Sequence, residues 1–243
     1  PKPTSVMRRE LDNDDPDVGA IRISALERVH RRIDRICERS GIGNAPRYIA
    51  HELAATQRDD WTTPLLDRLR LIDTEGVLVS DPTMFCRLTG AVRSMEQWVR
   101  PFTVAWLSRR CRVASFGQGT LEGWEADVTA LGHVESQGEA YRLGRAGLNV
   151  MRGQDDEGLN LKPLEIASSG RACLCARRVG MEAIFDDDEI IAFDRLPEAL
   201  DGLRRLEDDP SIAQRAMARI HRDWTWTAVN AVTLEQVQAV HAA

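Results

Sequence analysis

Apolar residues recur at helical spacing through residues 24–100 and in short strand-like runs beyond them. Leu26, Val29, Ile33 and Ile36 fall three or four apart, the period of one helix face. Ser24 and Glu27 have the offset of a capping box, so this helix is predicted to begin at Ser24 and to stop at Gly41. A second helix is expected over Pro46–Thr56. A third starts at Pro64, with Thr63 as N-cap and proline in the first helical position. Gly76–Ser80 reads as a short strand. Asp81-Pro82 opens a further helix that should run to about Arg100, where Pro101 ends or kinks it. Residues 1–19 are polar and acidic with three prolines, and read as a flexible lead.

From Arg110 the rhythm changes. Strands are predicted at Cys111–Phe116, Val128–Gly132, Leu148–Met151, Ala172–Ala176 and Ile190–Phe193. Helices fall between and after them, at Gly138–Ala146, Leu161–Ser169, Gly180–Phe185, Leu196–Glu207 and Ser211–Arg222. Short strands alternating with helices point to a parallel sheet covered on both faces. The expected fold is therefore α/β, a Rossmann-like parallel sheet preceded by a mainly helical N-terminal region. The expected division is a lead over residues 1–20, a helical region over 21–108 and a Rossmann-like domain over 109–243. In such sheets ligands bind outside the carboxyl ends of the strands.

One stretch then stands out. Residues 147–170 read GLNVMRGQDDEGLNLKPLEIASSG. A strand runs into an acidic, glycine-containing loop, and the loop into an amphipathic helix. A helix N-terminus presents unpaired N–H groups and a partial positive charge, which suits a phosphate. Glu157 and Glu165 are eight apart, a Glu-x7-Glu spacing, and a carboxylate two turns into the helix can reach neutral hydroxyls of the same ligand. Phosphate plus hydroxyls suggests a nucleotide sugar.

This stretch resembles the C-terminal half of group-1-type glycosyltransferases of the two-lobed GT-B fold. The nearest variant is the CgeB-like, spore-maturation-type group, which carries Gly-Leu-Asn-x-Arg/Lys-x-x-Glu-x-x-x-x-Gly. Gly158, Leu159, Asn160, Lys162, Glu165 and Gly170 stand in those places. The likeness extends upstream to Phe116-Gly117-Gln118-Gly119 and Leu131-Gly132-His133-Val134. Downstream it takes in Gly180–Phe185 and His221–Trp226, and so covers roughly residues 110–230. The resemblance implies a donor lobe for a nucleoside-diphosphate sugar, with Glu165 on the ribose hydroxyls and Glu157 facing the donor sugar. The backbone N–H groups of Gly158, Leu159 and Asn160 would meet the diphosphate, and Lys162 would add a point charge as the leaving group gains negative charge. Gly117, Gly119 and His133 would lie in turns beside the base or phosphate. It implies no metal and no further cofactor. An acceptor and a second lobe or partner chain belong to the same picture. The nucleobase (uracil, guanine or adenine), the donor sugar and the acceptor stay open.

Composition narrows the alternatives. A net charge of −6 argues against general nucleic-acid binding. Thirty of the 32 basic residues are arginines, and Lys162 is the one lysine away from the first few residues. Arg22, Arg28, Arg31, Arg32, Arg35 and Arg39 decorate the first helix. They could meet a phosphate or a membrane surface, but Glu27, Asp34 and Glu38 dilute them, which favours a solvated face. The cysteines, Cys37, Cys86, Cys111, Cys173 and Cys175, are odd in number and irregular in spacing, so no disulfide framework is expected. Cys173 and Cys175 are read as buried thiols facing opposite sides of a strand, and as a poor metal pair. Asp186-Asp187-Asp188-Glu189 contains an Asp-x-Asp but reads as an acidic turn. Trp224 and Trp226, with His221, are expected to pack the terminal helix onto the core. Trp124 reads as a half-buried core residue. No apolar run approaches the ~18 residues of a membrane span, and no signal-type segment opens the chain. A cytoplasmic setting is expected. The opening Pro1 reads as a fragment or a processed chain.

Overall fold

The computed structural model describes residues 16–59, 63–117, 126–150 and 159–242. They fall into two compact units, 16–106 and 107–242. Within the described residues the chain is mixed α/β, with small parallel sheets in the second unit and helices throughout the first.

The first unit consists of α1 (Pro16–Ser40), α2 (Asn44–Asp59), α3 (Leu65–Ile72), α4 (Pro82–Arg93) and most of α5 (Glu96–Ser108). Val29, Ile33 and Cys37 of α1 are buried with Leu53 of α2 and Leu88 and Val92 of α4. Each such aliphatic side chain contributes about 1.5–3 kcal/mol on burial, so the amphipathic stripe holds these helices more than their intrinsic propensity does. Gly41, at φ +62°, ends α1, and the Ile42 N–H closes onto the Cys37 carbonyl at 2.9 Å, the pattern of a left-handed C-terminal cap.

Four local expectations are corrected here. Within the described residues α1 is already helical from Pro16, so Ser24 is interior and caps nothing. α3 is capped by Pro64 rather than Thr63. Pro64 is extended (φ −53°, ψ 138°), and its carbonyl accepts from the Asp67 and Arg68 N–H groups. Residues 76–80 form turns, not a strand. The Asp73 carboxylate accepts from Val77 N–H at 2.7 Å and Leu78 N–H at 2.8 Å, taking donors a strand would offer to a neighbour. The Asp81 cap holds, accepting from Thr83 and Met84 N–H at 2.8 and 3.1 Å. Its helix nevertheless breaks at Ser94, whose hydroxyl turns back to the Ala91 carbonyl. Pro101 lies inside α5 without ending it.

The second unit carries the sheets. β1 (Val113–Ser115) pairs in parallel with β2 (Val128–Ala130). β3 (Ala146–Asn149), β4 (Ala172–Ala176) and β5 (Ile191–Phe193) form a second parallel sheet in that order. α6 (Gln137–Arg142) precedes β3, α7 (Leu161–Ser168) connects β3 to β4, and a 3-10 turn (Met181–Ala183) lies between β4 and β5. α8 (Leu196–Asp208), α9 (Ile212–Asp223) and α10 (Trp226–Ala242) follow. Ile166 and Ala167 of α7 and Ala216 and Ile220 of α9 pack with Cys173 and Cys175 on one face of the sheet. Gly202 of α8 lies against Ile191 and Leu174 on the other. Helices thus cover both faces, the Rossmann-like arrangement expected.

Cys173 and Cys175 therefore share a face, as residues two apart in a strand must; the expectation of opposite faces is wrong. The terminal tryptophans are also corrected in part. Trp224 is half-buried against the core of this unit, but Trp226 is 77% exposed and His221 is exposed.

Candidate functional site

α7 is set by what surrounds it. A Cβ at Gly147 of β3 would lie 2.9 Å from the Ile166 side chain, so only glycine lets α7 approach this closely. At the far end Gly170, at φ +76°, closes the helix, with its N–H on the Ala167 carbonyl. β3 ends at Asn149, which is buried and donates from Nδ2 to Cys175 Sγ at 3.3 Å. α7 follows this strand end in the chain and packs on β3 through Ile166.

Asn160 is the N-cap of α7. Its backbone is extended (φ −73°, ψ 175°), and Oδ1 accepts from the Lys162 N–H at 3.0 Å. Pro163 has no N–H at all. Among the residues of the first turn, Leu161 is thus the one whose N–H the helix leaves over, next to the segment from which the resemblance draws its phosphate donors. The side-chain role of Asn160 was missed in the sequence, although an Asn just ahead of an apolar-periodic run is a recognised cap signal.

Lys162 and Glu165 form an ion pair, Nζ to Oε2, at 2.7 Å, with side chains 39% and 41% exposed. Lys162 Nζ also donates to Oε1 of Gln137, the first residue of α6. The carboxylate that the resemblance assigns to ribose hydroxyls therefore already has a cation as partner. Exposed pairs of this kind are worth about 0–1 kcal/mol, so a ligand making better bonds can displace it. Gln137 was not anticipated. It lies 25 residues from Lys162, and no local pattern marks it.

A second set of expected residues lies at the carboxyl ends of β1 and β2. The Leu131 N–H donates to the Ser115 carbonyl at 2.9 Å, and the Gly117 N–H to the Gly132 carbonyl at 2.8 Å. Gly117 (φ +98°) and Gly132 (φ +71°) both take the left-handed backbone that only glycine adopts readily. His133, next in the chain, is exposed. The structure thus brings Gly117 together with the turn bearing His133, and Asn160, Lys162 and Glu165 together at the start of α7. Leu159, just before the cap, is partly buried and packs with the core around Ile166. Glu157, Gly158, Gly119 and Trp124 lie outside the described residues.

The acidic turn is a structural device. Asp186 and Glu189 pair with Arg219 at 3.2 and 3.0 Å, and Asp188 pairs with Arg215 at 2.8 Å. Arg205 donates to the Asp187 and Ile190 carbonyls. These carboxylates and carbonyls bind the turn to α8 and α9. Among the described residues, no group of three or more His, Cys, Asp or Glu is placed to hold a metal. Burial pushes the Cys173 thiol well above its usual range, which marks a core residue rather than a nucleophile.

A family model described as glycosyl transferase-like matches residues 93–235, more than half of the chain. The span takes in both sets of site residues. No curated protein and no solved structure matches. The chain belongs to the glycosyl transferase-like family.

Proposed function

We propose that residues 107–242 form the donor-binding lobe of a GT-B glycosyltransferase of the CgeB-like type. It transfers a hexose from a nucleoside-diphosphate sugar to an acceptor held by a second lobe or a partner chain. The observation that carries this reading is the placement of Glu165, one turn beyond the Asn160 cap, on a helix that follows the carboxyl end of a parallel strand. In this reading Glu165 leaves Lys162 and accepts from the ribose hydroxyls, and Lys162 turns to the diphosphate. A carboxylate taking bonds from two hydroxyls makes charge-assisted contacts, stronger than neutral ones. Leu159, Asn160 and Gly158 supply N–H groups to the phosphates, and Glu157 faces the sugar. Gly117, Gly119 and His133 line the turns beside the base. Transfer with retention and without a metal is inherited from the resemblance alone.

Incubating the chain with UDP-, GDP- and ADP-sugars and following released nucleoside diphosphate tests the catalytic part. Release that disappears in Glu165→Ala supports a working donor lobe. Nucleotide binding without release supports a donor lobe that needs a second lobe or a partner chain. Neither binding nor release leaves the second reading, a non-catalytic interaction module docking a partner through its helical N-terminal region.

A further inference from the structure

α1 carries a feature the donor site does not use. Arg28, Arg31, Arg32, Arg35 and Arg39 are all exposed. At 100° per residue they fall within an arc of about 100°, and at 1.5 Å per residue they span about 16 Å along the axis. The buried residues Leu26, Val29, Ile33 and Cys37 point the other way. Glu38, Glu27 and Asp34 lie outside this arc on one flank, about 20°, 40° and 60° beyond Arg31. They are not interleaved among the arginines, as the sequence alone suggested. Asp34 is also engaged elsewhere, accepting from His51 at 2.9 Å with Arg47 at 3.8 Å. The side chains of Arg31, Arg32, Arg35 and Arg39 make no hydrogen bond or ion pair among the described residues.

Like charges at i, i+4 spacing, as in Arg28 with Arg32, Arg31 with Arg35 and Arg35 with Arg39, weaken a helix. Here they stand in a chain of net charge −6. We propose that this face of α1 docks the protein on an anionic phospholipid surface. Guanidinium groups are suited to the task, because their planar fork binds phosphate oxygens in pairs. The flat geometry selects lipid over a nucleic-acid groove. A groove would enclose both flanks of the helix and set Glu27 and Glu38 against phosphates, whereas a plane facing the middle of the arc meets Arg28, Arg32, Arg35 and Arg39 first and leaves the acidic flank about 60° or more from the nearest of these. The chain as a whole is acidic, so any attraction to such a surface has to come from a local basic row of this kind. Among the described residues no helix is long and apolar enough to cross a membrane, so the association is electrostatic and peripheral.

The test is co-sedimentation of the full chain with vesicles of phosphatidylcholine alone, or of phosphatidylcholine with about one-third phosphatidylglycerol. Binding to the anionic vesicles only is expected, with release as salt rises from about 0.1 to about 0.5 M. A basic residue near such a surface is worth about fivefold in affinity. The triple variant R32A/R35A/R39A should thus bind on the order of a hundredfold more weakly with an unchanged melting profile. The matching lysine variant keeps the charge and should stay within several-fold of wild type. Equal partition onto both vesicles, no binding to the anionic ones, or full binding by the alanine variant would overturn the proposal. So would tighter, arginine-dependent binding to a short nucleic-acid duplex.

Discussion

Lys162 Nζ lies 2.7 Å from Glu165 Oε2, one turn away on the same helix face, and the same ammonium group reaches Gln137 on α6. The pair is partly exposed, so breaking it should change stability by less than about 1 kcal/mol. A hydrogen bond from a ligand hydroxyl to a charged carboxylate is worth about 1.5–3 kcal/mol. Glu165→Gln should therefore melt close to wild type yet bind a nucleoside diphosphate about tenfold to a hundredfold more weakly. Calorimetric titration beside a thermal melt separates the two effects. A large loss of stability with unchanged affinity would make the pair purely structural.

Gly147 holds α7 in place by having no side chain. Its Cβ would fall 2.9 Å from Ile166, an overpacking that costs about 1–3 kcal/mol. Gly147→Ala should lower the urea midpoint accordingly. Truncating the neighbour in Gly147→Ala/Ile166→Ala removes the clashing Cγ atoms, so the double variant should lose less than the sum of the two single variants. Additive losses in that double-mutant cycle would show that the clash is relieved elsewhere.

The Asp81 cap is a local test in the first unit. Its carboxylate accepts from the Thr83 and Met84 N–H groups, and caps of this type contribute about 0.5–2 kcal/mol. Asp81→Ala should destabilise by about 1 kcal/mol in urea unfolding, and Asp81→Asn by less. Equal stability of the alanine variant would mean that water serves the helix end as well.

Stability should also depend on one histidine. His30 stacks edge-on against His51 at 4.3 Å. Its pKa is held below 6.5 first by burial and then by His51, and Arg58 adds to the lowering. Asp34 and a backbone hydrogen bond with His51 oppose it. The folded state thus binds the proton less readily than the unfolded chain. This stability is fully present above pH 6.5 and is lost as pH falls through that value toward the folded pKa. Unfolding free energy should decline from about pH 7.5 to about pH 5.5, and His30→Leu should flatten that part of the profile. An unchanged slope in the variant would place the titration elsewhere.

Where each element could be read from the sequence depended on what decides its shape. The apolar runs at 172–176 and 191–193 are strands because they are short and bounded by turns, and the pattern alone carries that. α7 was equally clear, since its apolar period and Gly170 bracket it. The run at 77–79 looked the same but is governed by Asp73, whose side chain takes the N–H groups of two residues downstream. At the site, Lys162 and Glu165 could be placed on one helix from spacing. Their contact with Gln137, and the dependence of α7 on Gly147, arise only when distant segments meet. The arginine row of α1 was visible residue by residue, but its separation from the acidic row needed the helix faces assigned.

The central claim is that the start of α7 holds a nucleotide through Glu165. A thermal-shift titration with UDP, GDP and ADP on wild type and Glu165→Ala tests it most directly. A ligand at a hundred times its dissociation constant stabilises by about 2.7 kcal/mol. One nucleotide should raise the wild-type melting temperature by several degrees and that of Glu165→Ala by no more than about half as much. No shift with any nucleotide, or an equal shift in both proteins, would contradict it.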